Sequence, residues 1–337
     1  MNKNWIKIAS IYIGTVIGAG FASGREIIEF FAVYGIKGIL GMICVGILFS
    51  VVGSLMLIKI YNNKIQNLDE LTIRLFGEKS RFILNTIIGF SLFTGYSVMI
   101  SGSGAIFKEE LGLLLDIGIL VMVICSFIVF LFKLEGLSFI NSILVPLLII
   151  GILFTSSYLN IREEFNFSNI EGVSLTKKGN FLSSALLYFG SNSLIIIIVF
   201  SSLLPLIKDV RTAILGATVG GTVLFILGVS ILISMLIYYN ETYALDIPML
   251  KMCSYISKNY RKVYSIILWI AMFTTALANG FGFMNKISKY KNRLLYTALF
   301  CISAIPLAKL GFANLVGIIY PIFGLIGLGM MLLILLY

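Results

Sequence analysis

Histidine is absent from the 337 residues, and charge is scarce: Asp, Glu, Lys and Arg make up 12% of the chain, against roughly 25% in a soluble globular protein. Without histidine there are no His-based zinc sites, no Ser-His-Asp chemistry and no imidazole proton relays. Cysteine is limited to Cys44, Cys125, Cys253 and Cys301. They lie far apart without a CxxC pair, which reads as small packing residues with no disulfide or metal role. Segments alternating between apolar and polar residues, the mark of a membrane β-barrel, are also lacking.

What is abundant is apolar surface, at 59% hydrophobic residues. Apolar stretches of 18 or more residues recur along the whole chain, the pattern of a polytopic membrane protein with about ten helices. The predicted class is an all-α integral membrane protein, a single transmembrane domain over 1–337, with no room for a soluble catalytic domain. The spans fall at 5–33, 37–60, 82–107, 112–132, 137–158, 181–207, 212–239, 262–286, 292–308 and 313–336. Met1 to Lys7 is short and basic, and an uncleaved first span is the expected reading.

The net charge of +10 would suggest nucleic acid in a soluble protein. Here the charges sit between spans, so their meaning is topological and no nucleic-acid partner is expected. With the N-terminus inside, the cytoplasmic set is Lys3, Lys7, Lys59, Lys64, Arg74, Lys79, Arg81, Lys133, Lys208, Arg211, Lys286, Lys289, Lys291 and Arg293. Most of the opposing basic residues lie in two long loops, where the rule is weak. The expected location is the cell membrane, with both termini cytoplasmic.

Three connections are long. Residues 61–81 carry an amphipathic stretch, Leu68 to Phe76, expected as an interfacial helix. Residues 159–180 form a polar outer loop. Residues 240–261 contain Pro248, which suits the first turn of a short outer helix, either a lid or a plain surface element. The 159–180 loop divides the spans five and five, repeat one at about 5–158 and repeat two at about 181–336. An odd number per half forces opposite orientations, as in inverted-repeat transporters. Breaks are expected in span 1 at Gly18-Ala19-Gly20 and in span 6 at Gly190-Ser191-Asn192-Ser193.

Gly14, Gly18, Gly20 and Gly24 fall within eleven residues of span 1. Each weakens helix by about 1 kcal/mol relative to Ala, so an unwound stretch is one reading and a small-residue packing face is the other. Arg25, Glu26 and Glu29 follow directly. Ionisable groups inside a hydrophobic segment are rarely there for packing, which makes them gate or coupling candidates. Arg25 and Glu29 are alternatively an i,i+4 pair in an aqueous vestibule. In span 8, Thr274 and Thr275 with the Ala271 carbonyl offer three oxygens to a hard cation, unless the hydroxyls bond back to their own helix.

Together these residues carry a resemblance. Gly14-Thr-Val-Ile17-Gly18-Ala-Gly20 resembles the broken first helix of the amino acid/polyamine/organocation superfamily and of LeuT-like sodium symporters. Ala271-x-x-Thr274-Thr275 resembles the eighth-helix signature of their shared sodium site. The run Gly14 to Phe31 is most similar to the YkvI-like amino-acid permeases. The resemblance implies a LeuT-like bundle with helices 1 and 6 broken. It implies a secondary transporter, a symporter that moves an amino acid or related small amine by alternating access with one sodium ion. The sodium ligands would be the carbonyls of Gly14, Ile17 and Ala271 and the hydroxyls of Thr274 and Thr275. No other cofactor is implied. A second sodium site is not expected, because Phe21 stands where relatives carry Asn and span 7 has none. Span 5 lacks the Lys of some proton-coupled relatives, although proton coupling through Glu26 or Glu29 stays open.

The same resemblance places the solute between the breaks. Its carboxylate would meet the N–H groups of Ala19, Gly20 and Phe21, and its amine the carbonyls near Phe189 and Gly190. Tyr96 resembles the helix-3 tyrosine that helps hold the substrate in relatives, or is a packing residue. Asn192 and Asn279 are the other polar candidates. The remaining readings are an amino-acid sensor like the spore-germination membrane subunits, a channel, or an intramembrane enzyme. The missing histidine, Gly-x-Gly-Asp motif and paired intramembrane Asp argue against the enzyme.

Overall fold

A computed structural model describes residues 3–77, 80–132, 137–162, 179–287 and 293–336. The outer loop at 159–180 falls mostly outside these residues. So do Lys79, Lys133, Lys289 and Lys291 of the expected cytoplasmic set.

The first span is three helices: α1 (Asn4–Val16), α2 (Ala19–Ser23) and α3 (Arg25–Phe30). It is followed by α4 (Ile36–Asn62), α5 (Leu68–Phe76), α6 (Ser80–Leu111), α7 (Leu115–Leu131) and α8 (Leu137–Arg162). The second half holds α9 (Phe181–Phe200), α10 (Val210–Ile237), α11 (Tyr239–Thr242), α12 (Pro248–Ser254), α13 (Lys258–Ile287), α14 (Arg293–Ala308) and α15 (Phe312–Leu336). Among the described residues seven helices are long and apolar enough to cross a membrane, two shorter apolar ones accompany them, and with the segmented first span they make up the expected ten.

Local chemistry sets the boundaries. The Asn67 side chain accepts from Glu70 N at 2.8 Å while the Glu70 carboxylate accepts from Gln66 N at 2.8 Å. This reciprocal cap fixes the start of α5. Asp209 caps α10 by accepting from Thr212 N at 2.6 Å, and Asn180 caps α9 by accepting from Leu182 N at 2.9 Å. Pro248 begins α12, where its missing N–H costs nothing.

Lipid offers no hydrophobic drive between helices, so association depends on close packing. α10 lies along α4 and α1, α9 along α15, and α13 along α6. At the α9–α15 seam Gly190 meets the Gly324 backbone, and Gly327 meets the Gly190 carbonyl, so backbone touches backbone.

That seam corrects one expectation. α9 runs unbroken through 190–193. Asn192 Nδ2 donates to Tyr188 O at 3.0 Å and Ser193 Oγ to Phe189 O at 2.8 Å. The polar run satisfies itself within its own helix, and Gly190 serves helix packing instead of a break.

Candidate functional site

The interruption of the first span lies at Ile17 and Gly18. The Gly18 N–H turns to Val16 O at 2.9 Å instead of reaching Gly14, and Gly18 is extended. The first bond beyond the break is Ala22 N to Gly18 O at 3.0 Å. The carbonyls of Gly14 and Ile17 therefore leave the helical ladder. Such backbone is tolerated at membrane depth only where protein or a cavity surrounds it. A second turn follows at Gly24, whose φ of +79° is left-handed, a conformation that favours glycine. A side chain there would also strike Met235 and, from α12, Met249.

Beside the break is a cavity of about 180 Å³. The first span contributes Thr15, Gly18, Ala19, Gly20 and Glu26; α6 contributes Ser91, Thr94 and Gly95; α9 contributes Asn192; α13 contributes Thr275 and Asn279; and α15 contributes Tyr320 and Phe323. Gly18 leaves its stretch of wall bare, since a Cβ there would meet nothing within 4 Å. Glu26 is buried, with its carboxyl packed against Gly20 next to the Tyr320 hydroxyl. The Tyr188 hydroxyl also faces that carboxyl and is itself buried.

The candidates divide by position. Ala19, Gly20, Glu26, Asn192, Thr275 and Asn279 share the cavity. Phe21, Tyr96, Phe189 and Gly190 are not part of its lining. The Tyr96 hydroxyl lies 2.7 Å from Ser126 Oγ, and its ring packs on Phe300 at 4.8 Å. Phe189 packs on Phe49 at 5.4 Å. The Ala271 carbonyl is not free as expected. It accepts from Thr274 Oγ1 at 3.1 Å and Thr275 Oγ1 at 2.8 Å. Both hydroxyl oxygens keep lone pairs; of the five expected ion ligands Thr275 lines the cavity, and Gly14, Ile17, Ala271 and Thr274 are not part of its lining. Tyr320, Thr15 and Thr94, which line the cavity, and Tyr188, which faces Glu26 without being part of the lining, were missed. The signal for Tyr320 was a lone polar ring in the apolar turn Ile318 to Phe323.

A charged lattice lies on the side opposite the N-terminus. Arg25 donates to Glu29 Oε2 at 3.0 Å, to Tyr243 O at 2.7 Å and to Leu245 O at 3.0 Å. Glu109 at the end of α6 accepts from the Asp246 and Ile247 N–H groups at 2.9 and 3.1 Å. Arg261 pairs with Glu110 at 2.6 Å and donates to Glu109 O. Asp246 accepts from Ala313 N at 2.8 Å. The Tyr243–Ile247 connection and α12 are thereby tied over the α2–α3 joint, with Tyr264 adding a bond of 2.7 Å to Ala22 O. Beside the lattice, Glu241 accepts from Tyr255 OH at 2.5 Å and pairs with Lys251 at 3.1 Å. These partners hold its carboxyl below the usual carboxylate range.

A ten-span bundle with its first helix broken over a central cavity is a LeuT-like fold. The inward-facing conformation of Mhp1 matches it with a TM-score of 0.67 at 13% identity, over 95% of this chain and 72% of that one. The membrane protein YkvI of Bacillus subtilis (strain 168), itself uncharacterized, is 30% identical over 331 residues, covering 96% of this chain and 92% of YkvI. YyaD of the same organism, also uncharacterized, is 26% identical over 339 residues, 97% of this chain and 95% of YyaD. The chain belongs to the YkvI family of membrane proteins. No family model matches the sequence.

Proposed function

We propose that this protein is a secondary active transporter, and not an enzyme, moving an amino acid or a related small amine across the membrane by alternating access. The observation that carries this is the cavity at the interruption of the first span, with a buried carboxyl in its wall and the charged lattice above it. Its volume suits on the order of ten water molecules, so the solute is small. Neutral and acidic polar groups line it among the described residues, without Lys or Arg.

One sodium ion is the proposed coupling ion. The carbonyls of Gly14, Ile17 and Ala271 and the hydroxyls of Thr274 and Thr275 would hold it, and its charge would favour the solute-loaded state. Glu26 supports proton coupling as the second reading, because a buried carboxyl with no basic partner exchanges protons readily with a cavity. The proposed location is the cell membrane, with cytoplasmic termini.

Uptake into proteoliposomes, with and without an imposed sodium gradient, tests both parts. Accumulation driven by sodium supports the full reading. Accumulation that follows pH and ignores sodium removes the sodium part. Binding without accumulation places the protein among sensors on this fold.

A further inference from the structure

Glu26 is separated from the basic groups nearest in sequence and space. Its neighbour Arg25 points away into the lattice, onto Glu29 and the carbonyls of Tyr243 and Leu245. Among the described residues no Lys or Arg lines the cavity, so Glu26 is its one charged side chain. Two aromatic hydroxyls face the carboxyl from other helices, Tyr188 on α9 and Tyr320 on α15. Tyr188 is 1% exposed, and its hydroxyl faces the Glu26 carboxyl and Asn192. A buried carboxylate without a cation is costly, hydrogen bonds from neutral hydroxyls offset only part of that cost, and a proton or a positively charged ligand offsets the rest. A hydroxyl beside it is an extra donor or acceptor for such a ligand.

The position of the carboxyl also restricts the ligand. It lies on Gly20, where the resemblance to amino-acid permeases would seat a solute carboxylate. A zwitterion would bring a second negative group to a wall that has no basic side chain to receive it.

We propose that Glu26 is the ammonium subsite of this cavity, and that its ligand is a small primary amine lacking a carboxylate, such as a short alkylamine. This rests on the reading of the cavity as the solute site and narrows the solute class. The ammonium group sits between the Glu26 carboxylate and the Tyr188 and Tyr320 hydroxyls. The short apolar part of the ligand lies against Ile319 and Phe323, which line the same cavity.

The test uses the full-length protein in lipid nanodiscs at neutral pH. Thermal unfolding and calorimetric titration are run with butylamine, alanine and butyrate. Butylamine is expected to raise the melting temperature in a dose-dependent way. Alanine is expected to bind at least tenfold more weakly, and butyrate not at all. Glu26→Gln should cut butylamine affinity at least tenfold, and Tyr188→Phe severalfold, with ligand-free melting unchanged in the latter. If Glu26→Gln does not fold, Glu26→Asp replaces it, with the same direction expected because the shorter side chain withdraws the carboxylate. No butylamine response in the wild type, alanine binding as tightly as butylamine, or full affinity in the Glu26 variant would each overturn the assignment. Counterflow of labelled solute in proteoliposomes separates the two claims. Butylamine binding without counterflow leaves the subsite standing and removes transport, whereas alanine counterflow that survives Glu26→Gln keeps transport and removes the subsite.

Discussion

Glu26 folds back onto Gly20, and its carboxyl fills the space that any side chain at Gly20 would need, beside the Tyr320 hydroxyl. A glycine inside the first span thus exists to admit a carboxylate six residues later. Gly20→Ala must push aside Glu26 or Tyr320. Overpacking of this kind costs about 1–3 kcal/mol, and it displaces the one charged group in the cavity wall. Thermal unfolding should show the stability loss, and ligand titration should show a loss of response larger than the stability change explains.

Gly24 carries a different constraint. Its φ of +79° costs a residue with a side chain about 1–2 kcal/mol, and Met235 and Met249 leave no space for one. Gly24→Ala should therefore lower the melting temperature more than Gly18→Ala, since a Cβ at Gly18 meets nothing within 4 Å. Paired melting curves of the two variants check the order.

Arg25 holds the lattice on the side opposite the N-terminus. Its side chain is 11% exposed and that of Glu29 is 7% exposed. Removing one member of a buried pair leaves the other charge poorly compensated, at a cost of about 3 kcal/mol. Arg25→Gln should be destabilised by that order, and Glu29→Gln added to it should recover part of the loss. The same substitution should loosen α12, so Cys253, buried within it, should react faster with a membrane-impermeant maleimide.

Asp209 gives a pH dependence outside the membrane. Its hydrogen bonds to the Thr212 hydroxyl and backbone hold its carboxyl below the usual range. A lowered folded-state pKa means the contribution is complete above the ordinary carboxylate pKa and fades as pH falls through the folded value. Melting temperature should therefore fall on acidification in the wild type, with a flatter acid limb in Asp209→Ala.

Thr275 lines the cavity while donating to the Ala271 carbonyl. Thr275→Ala should fold normally and lose sodium-dependent stabilisation or uptake. A protein with unchanged sodium dependence would remove Thr275 from the proposed ion site.

The fold was largely legible because lipid imposes it. Backbone groups must be satisfied within each helix, so continuous apolar runs marked the spans, and Leu68 to Phe76 and Pro248 marked α5 and the start of α12. The break at Gly18 was legible because four glycines weaken one segment. The unbroken α9 was not, because Ser191, Asn192 and Ser193 carry the same letters whether their side chains face a cavity or their own carbonyls. Tyr96 failed to point to the cavity for a related reason: its partner Ser126 lies on another helix, and one-dimensional spacing cannot show which way a ring turns. Glu26 was visible as an unusual charge, but its contact with Gly20 depends on the turn at Gly24.

The central claim is that the cavity beside the first-span break carries a solute across the membrane. Uptake of labelled small amines and amino acids into proteoliposomes, compared between wild type and Glu26→Gln, tests it most directly. The account predicts saturable, gradient-driven accumulation of at least one small amine in the wild type and its loss in the variant. A wild-type protein that accumulates no amine or amino acid under a sodium or a proton gradient would contradict it.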